Sequence, residues 1–170
     1  MRSTEVKPAL KTHRPGELIL SGEDFLGIMR SVLEKGIPFR FMAGGSSMVP
    51  FIRNGDIVTI HPCRGTSLQE GDVVAFISPA SGKLSVHRIV RKGRESYAIK
   101  GDNLTEMNGT ISPGRILGTV IRVERNGKAI SFGTGPGRPL ITGLSRSRFF
   151  FPALTRTAKS LRSFFRRMEK

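Results

Sequence analysis

Between Phe25 and Leu33 the apolar residues Phe25, Leu26, Met29, Val32 and Leu33 recur at steps of three and four, the spacing that lines one face of an α-helix. Ser21 stands where an N-cap belongs, Asp24 takes the third helical position, and Gly36 supplies a stop, so the pattern predicts a helix over 22–35. At that length it packs on a domain and does not cross a bilayer. From Ile37 the period changes to two. Ile37, Phe39 and Phe41 alternate with smaller or polar residues, and further strands are expected near 56–60, 72–78, 84–92, 95–100, 115–124 and 129–132, separated by Gly-rich and polar turns. The 20 Gly and 10 Pro favour many short strands over a helical bundle, and 170 residues suffice for one core. The fold class this predicts is mainly β, with a short N-terminal helix and a C-terminal appendage.

The two ends read differently. Residues 1–20 form a polar arm without the apolar stretch of a secretory signal, and 133–143, with Pro136 and Pro139, read as a Gly/Pro linker. Beyond it, 144–170 reads as a basic amphipathic tail: Phe150, Leu154, Ala158, Leu161, Phe165 and Met168 recur at helical steps, with Arg156, Lys159, Arg162, Arg166 and Arg167 largely between them. From Arg138 to Lys170 nine Lys or Arg stand against one Glu, a net +8 of the chain's formal +15. A helix of that kind suits an anionic membrane surface, lying in the interface; the competing expectation is that its apolar stripe packs on the domain. No run of 18 apolar residues exists, so peripheral membrane association is expected and a transmembrane helix is not. The charge also suits nucleic acid, but the twelve aromatics include no Trp and one Tyr, and no stacking platform stands out.

Candidate chemistry lies between the appendages. Ser47 sits in the turn Gly45-Ser46-Ser47-Met48-Val49-Pro50, His87 in the strand pattern Val86-His87-Arg88-Ile89-Val90, and Asp102 in the turn Gly101-Asp102-Asn103. A serine hydroxyl needs a base for its proton, and the base needs an orienting group. Ser47, His87 and Asp102 offer those three types. Histidine, with an ordinary pKa of about 6.5, is neutral enough near pH 7 to accept a proton, so activity should rise as His87 loses its proton. Spacing alone does not bring the three together. Each also has a plain structural role open to it, as a turn hydroxyl, a strand residue and a turn-forming carboxylate.

The order of Gly45–Pro50, Gly55-Asp56-Ile57-Val58, Gly71-Asp72-Val73-Val74-Ala75-Phe76, Val86–Val90, Lys100-Gly101-Asp102-Asn103 and Ile116-Leu117-Gly118-Thr119-Val120 resembles the signal peptidase I group of the S24/S26 serine peptidases, in its histidine-type branch. The resemblance covers residues 39–124 and implies a signal-peptidase/repressor-protease-like β-fold, with a peptidase domain over 21–132. It also implies that Ser47 attacks the scissile carbonyl, His87 shuttles the proton and Asp102 orients His87. No cofactor or metal is implied, and the substrate would be an exported or precursor peptide, bound as an extended strand and cut after small residues.

Three features depart from the family pattern. Further aspartates usually follow Gly-Asp-Asn, whereas here the chain reads Leu104-Thr105-Glu106-Met107-Asn108, which makes Glu106 the reserve for the third position. Gly45 stands where many members have a serine two residues before the nucleophile, so the oxyanion hole falls to backbone N–H groups such as that of Ser47. The usual transmembrane helix is missing.

Among other residues, Lys83 lies roughly 13 Å along a strand from His87, too far to replace it as base, and Lys100 remains an alternative base. His61 and Cys63 are two candidate metal ligands without partners; Asp56 and Asp72 are assigned to turns; Met48 and Pro50 to shaping the turn and groove; and Arg88 to an unidentified carboxylate. The leading reading is a signal-peptidase-type serine endopeptidase. The alternatives are a self-cleaving repressor-type peptidase, for which 46 residues before Ser47 leave little room for a DNA-binding module, and a non-catalytic peptide- or membrane-binding module.

Overall fold

A computed structural model of the chain describes residues 22–63, 68–133 and 138–146. The N-terminal arm, the Ser21 cap and the amphipathic tail from residue 147 onward lie outside the described residues. Within them the protein is mainly β: eight strands form one antiparallel sheet, accompanied by two α-helices. The first helix, α1 (Gly22–Glu34), follows the expected stripe. It buries Met29 and Leu33, and Phe25 packs edge-on against Phe39 and Phe41 with ring centroids 5.7 and 6.1 Å apart.

The strands are β1 (Phe39–Met42), β2 (Ile57–Pro62), β3 (Val73–Ile77), β4 (Leu84–Lys92), β5 (Tyr97–Lys100), β6 (Thr110–Ile111), β7 (Ile116–Arg125) and β8 (Lys128–Ala129). Their order across the sheet is β1-β2-β7-β3-β4-β5-β6, with β8 paired to β7. Asn126 and Gly127, both at positive φ, close the β7–β8 hairpin as an Asn-Gly turn requires. Expected strands match β1 to β5 and β7 closely, whereas 129–132 shrinks to the last residue of β8.

The continuous apolar run of β3 has a simple cause, since both of its faces are covered. Val73 and Ala75 join Met29, Leu33, Val58, Ile60, Val120 and Val123 in the core beneath α1. Val74 and Phe76 join Ile89, Tyr97, Ile99 and Ile111 on the other face. Cross-strand register carries this alternation into β4: Arg88 opposes Val73 and Val86 opposes Ala75, while His87 opposes Val74 and Ser85 opposes Phe76. Neighbouring His87 and Arg88 therefore point to opposite faces.

The segment expected as a linker over 133–143 contains instead the start of a second helix, α2 (Arg138–Arg146), which packs on β4. Pro139 falls in its first turn, where a missing N–H costs nothing.

Candidate active site

The loop from Ala43 to Asp56 carries the proposed nucleophile and is fastened at its base. The Ala43 N–H donates to the Asp56 carbonyl at 2.8 Å, and the Gly55 N–H donates to Ala43 at 2.9 Å. The Asp56 carboxylate accepts the Arg53 N–H at 2.8 Å and both ends of the Arg125 guanidinium at 2.8 and 2.7 Å. Burial alone would raise the Asp56 pKa, but the Arg125 and Arg53 bonds outweigh it and hold the carboxyl below its usual range. Asp56 is thus a loop anchor, as assigned from sequence, and Asp72 likewise accepts the Gln69 N–H of its own turn at 2.8 Å. Met48 and Ile52 are buried in the core under α1, which fixes the far side of the loop. Asn54 completes it by accepting the Gly45 N–H at 3.2 Å.

Strand β4 brings His87, the candidate base, to this loop. Its residues Leu84 to His87 pair with β3 alone, and β5 joins only from Arg88 onward. His87 stands where one edge of β4 becomes free, and Ser47 reaches it across that edge. His87 Nε2 lies 3.3 Å from Ser47 Oγ, a long hydrogen bond between residues 40 apart in sequence. The imidazole leans on Phe76, ring centroids 5.5 Å apart, and is only 8% exposed. Burial pulls its pKa down to about 4, partly opposed by the negative charge of Asp102. The ring is therefore neutral at physiological pH, the form that accepts a proton.

The expected third member is elsewhere. Both Asp102 carboxylate oxygens accept from Arg88, Oδ1 from Nε at 2.9 Å and Oδ2 from Nη2 at 2.8 Å, and the Ser145 hydroxyl also donates to Oδ1. His87 Nδ1 is buried without a hydrogen-bond partner among the described residues, and Glu106, the reserve, is exposed. The reason is energetic. Arg88 is fully buried, and an uncompensated charge there costs several kcal/mol, roughly 3–5 when a partner is removed, far more than an unoriented imidazole nitrogen. All five guanidinium N–H directions are used: the remaining bonds go to the carbonyls of Gly71 (2.9 Å), Gly133 (3.1 Å) and Phe132 (2.9 Å). The Phe51 ring covers the guanidinium carbon at 5.3 Å.

Asp102 nevertheless serves both reactive residues at one remove. Next to it, the Asn103 N–H donates to the Ser47 carbonyl at 2.8 Å and its side-chain amide to Ser46 at 3.2 Å. A Cβ on Gly101 would lie 2.8 Å from the Ser47 carbonyl oxygen, so only glycine lets the two turns approach this closely. On the other side, Arg88 is the chain neighbour of His87. The turn is a brace between Ser47 and His87.

Lys100, the alternative base, is buried, and its ammonium donates to the Ser145 carbonyl at 2.6 Å. Burial lowers its pKa and the Asp102 charge opposes this. Lys83 is exposed and stands apart from the groove beside Ser47. Arg88's partner and the roles of Asn54, Asn103 and Ser145 were missed from sequence. One signal existed: a charged residue inside the apolar strand Val86–Val90 demands a buried counter-ion.

A groove of about 290 Å³ runs from Ser47 and His87 between the loop after β1 and the free edge of β4. Phe25, Phe41, Ile52, Leu84 and Val86 give it apolar walls, and Met48 lines it as expected. Its size is at the small end for ligand pockets.

Ser47 and a neutral His87 stand in hydrogen-bonding contact at an open strand edge of an antiparallel β-fold, an arrangement that fits serine-hydrolase chemistry. The Peptidase S24-like family model matches residues 14–121, nearly two thirds of the chain, and the chain belongs to that family. The family includes self-cleaving and signal-peptidase-like enzymes. No curated protein matched the chain.

Proposed function

We propose that this protein is a serine endopeptidase of the signal-peptidase type, working with a Ser47–His87 dyad. The observation that carries the reading is the 3.3 Å contact between His87 Nε2 and Ser47 Oγ at the end of a groove walled by unpaired strand edges. Among the described residues β1 pairs only with β2, and Leu84 to His87 pair only with β3. An extended peptide entering between them gains main-chain hydrogen bonds, while the small apolar groove selects small side chains beside the cut.

In the reaction, Ser47 Oγ attacks the peptide carbonyl carbon as His87 Nε2 takes its proton. The tetrahedral oxyanion is met by backbone N–H groups. The Ser47 N–H has no acceptor among the described residues and is available for this. His87 then returns the proton to the departing amine, leaving an acyl-serine that water hydrolyses by the same base. Arg88 and Asp102 act mainly on geometry: Arg88 holds the strand of His87, and the Asp102 turn holds the backbone of Ser47, while the Asp102 charge also raises the His87 pKa somewhat.

The substrate class is an exported or precursor peptide, and the basic segment 144–170 is the proposed contact with an anionic membrane surface. Among the described residues no helix is long and apolar enough to cross a membrane. The test is to treat the purified chain, with and without anionic liposomes, with a fluorophosphonate probe and Ala-x-Ala peptides, beside Ser47→Ala and His87→Ala. Labelling and cleavage lost in both variants support the dyad. A folded wild-type chain inert under every condition would instead favour a non-catalytic binding module.

A further inference from the structure

We propose that α2 is a positioning latch for the reactive pair, with Ser145 as its contact point. The family match ends at residue 121, yet α2, at 138–146, is fastened to the brace behind the site. Three observations support this.

First, α2 is fixed by side chains at both of its ends. Arg138 Nε donates to the Glu70 carbonyl at 2.6 Å, and its guanidinium pairs with Asp72 at 3.1 Å. Arg146 Nε donates to the Val90 carbonyl of β4 at 2.6 Å, and its Nη2 pairs with Glu70. A Cβ on Gly71, which sits at φ +91°, would fall 2.5 Å from Arg138 Cγ and 2.6 Å from Thr142 Oγ1. The helix is seated against that glycine.

Second, α2 satisfies the buried charges beneath it. Arg88, Lys100 and Asp102 are all at or near zero exposure, two cations with one carboxylate. Ser145 contributes to both signs: its hydroxyl donates to Asp102 and its carbonyl accepts from Lys100. That carbonyl belongs to the last turn of α2, where the helix carries partial negative charge and suits a cation.

Third, Asp102 is the one point from which both halves of the dyad can be displaced. Its turn holds the Ser46 and Ser47 carbonyls through Asn103, and its carboxylate holds Arg88 beside His87. Loss of the Ser145 hydroxyl removes one of three donors to this carboxylate and lets the turn shift relative to β4. The long Ser47–His87 contact has little tolerance for such a shift.

The test uses the full chain with Ser145→Ala, with Lys100→Met as a second variant that keeps the aliphatic stem, and with Leu140→Ala on the exposed side of α2 as control. Two readouts are taken. Amide hydrogen exchange at Asn103, followed by NMR, reports the bond to Ser47 and needs no activity. Peptide kinetics report the dyad and rest on the proposed peptidase function.

Ser145→Ala should speed Asn103 exchange and lower kcat about tenfold, the scale of one charge-assisted hydrogen bond, with KM within about twofold. Ser145→Thr, which keeps the hydroxyl, should restore both, and Leu140→Ala should match wild type. Wild-type Asn103 exchange in both Ser145→Ala and Lys100→Met overturns the latch, as does a fall in kcat without a change in exchange. If the wild-type chain itself never reacts, the peptidase reading fails, and the exchange measurement still decides the latch.

Discussion

The two sides of β4 are built to opposite standards. On one, His87 meets Ser47 through a single 3.3 Å contact, and its second ring nitrogen has no partner among the described residues. On the other, Arg88 spends five N–H groups on five acceptors and is sealed by Phe51. Adjacent residues on one strand thus differ in how completely their surroundings determine them. Rigidity is concentrated behind the candidate site, where buried charge enforces it, and Ser47 and His87 are tied to it through Asn103 and Arg88. The pair itself stays loosely satisfied, which leaves hydrogen-bonding capacity for a substrate.

Experiments can break that contrast, beginning with the largest effect. Ser47→Ala or His87→Ala should lower peptide cleavage at least about a thousandfold, with thermal melting of Ser47→Ala close to wild type. Asp102→Asn should do the reverse in kind, destabilising the fold by roughly 3–5 kcal/mol in urea titration because Arg88 loses its counter-ion in the interior. An Asp102→Asn protein of wild-type stability but no activity would restore Asp102 as an orienting group on His87 and undo the comparison.

The pH dependence comes next. His87 has a folded pKa of about 4 against an ordinary 6.5, so the unfolded chain binds the extra proton first as pH falls. The stabilising contribution of neutral His87 is fully present above about pH 6.5 and is lost between there and about pH 4, up to about 3 kcal/mol. The sequence alone puts the acid limb of activity near 6.5; burial moves it towards 4, so kcat/KM should be nearly flat from pH 5.5 to 8. An inflection near 6.5 in the free enzyme would show an imidazole far better solvated than the structure has it. The smallest effect belongs to Asn54→Ala, which removes the acceptor for the Gly45 N–H and should slow fluorophosphonate labelling a few-fold without changing stability by more than about 1 kcal/mol.

The same contrast explains what the sequence could tell. Helix α1 and the main strands are legible because they bury apolar side chains at the period of their backbone, as Met29 and Leu33 do in α1 and Val73 to Phe76 in β3. That Ser47 and His87 meet in space was anticipated from the order of short motifs. Helix α2 was not, because it inverts the usual pattern: it buries Thr142 and Ser145 and leaves Leu140 69% exposed. Its apolar residues do recur at helical spacing, but the docked face carries Thr142 and Ser145, so that spacing gave no guide to what the helix buries. Pro139, read as part of a linker, was instead the start signal. The pairing of Asp102 with Arg88 was hidden for a related reason, since a carboxylate's partner depends on which cation the fold has buried, and Arg88 faces away from His87 by the alternation of β4. Strand β6, only two residues long, offered no period to read.

The gap between β1 and β4 has one further consequence. In the proposed function it receives backbone, and backbone can enter only if its N–H and C=O groups are not already committed to a partner. A segment folded into its own helix or sheet must first be unravelled, at a cost the short groove is too small to offset. Under the proposed peptidase function, the opening between the strands would therefore sort proteins by their state of folding before it reads any side chain: an unfolded junction would be admitted, and the same residues inside a finished domain passed over.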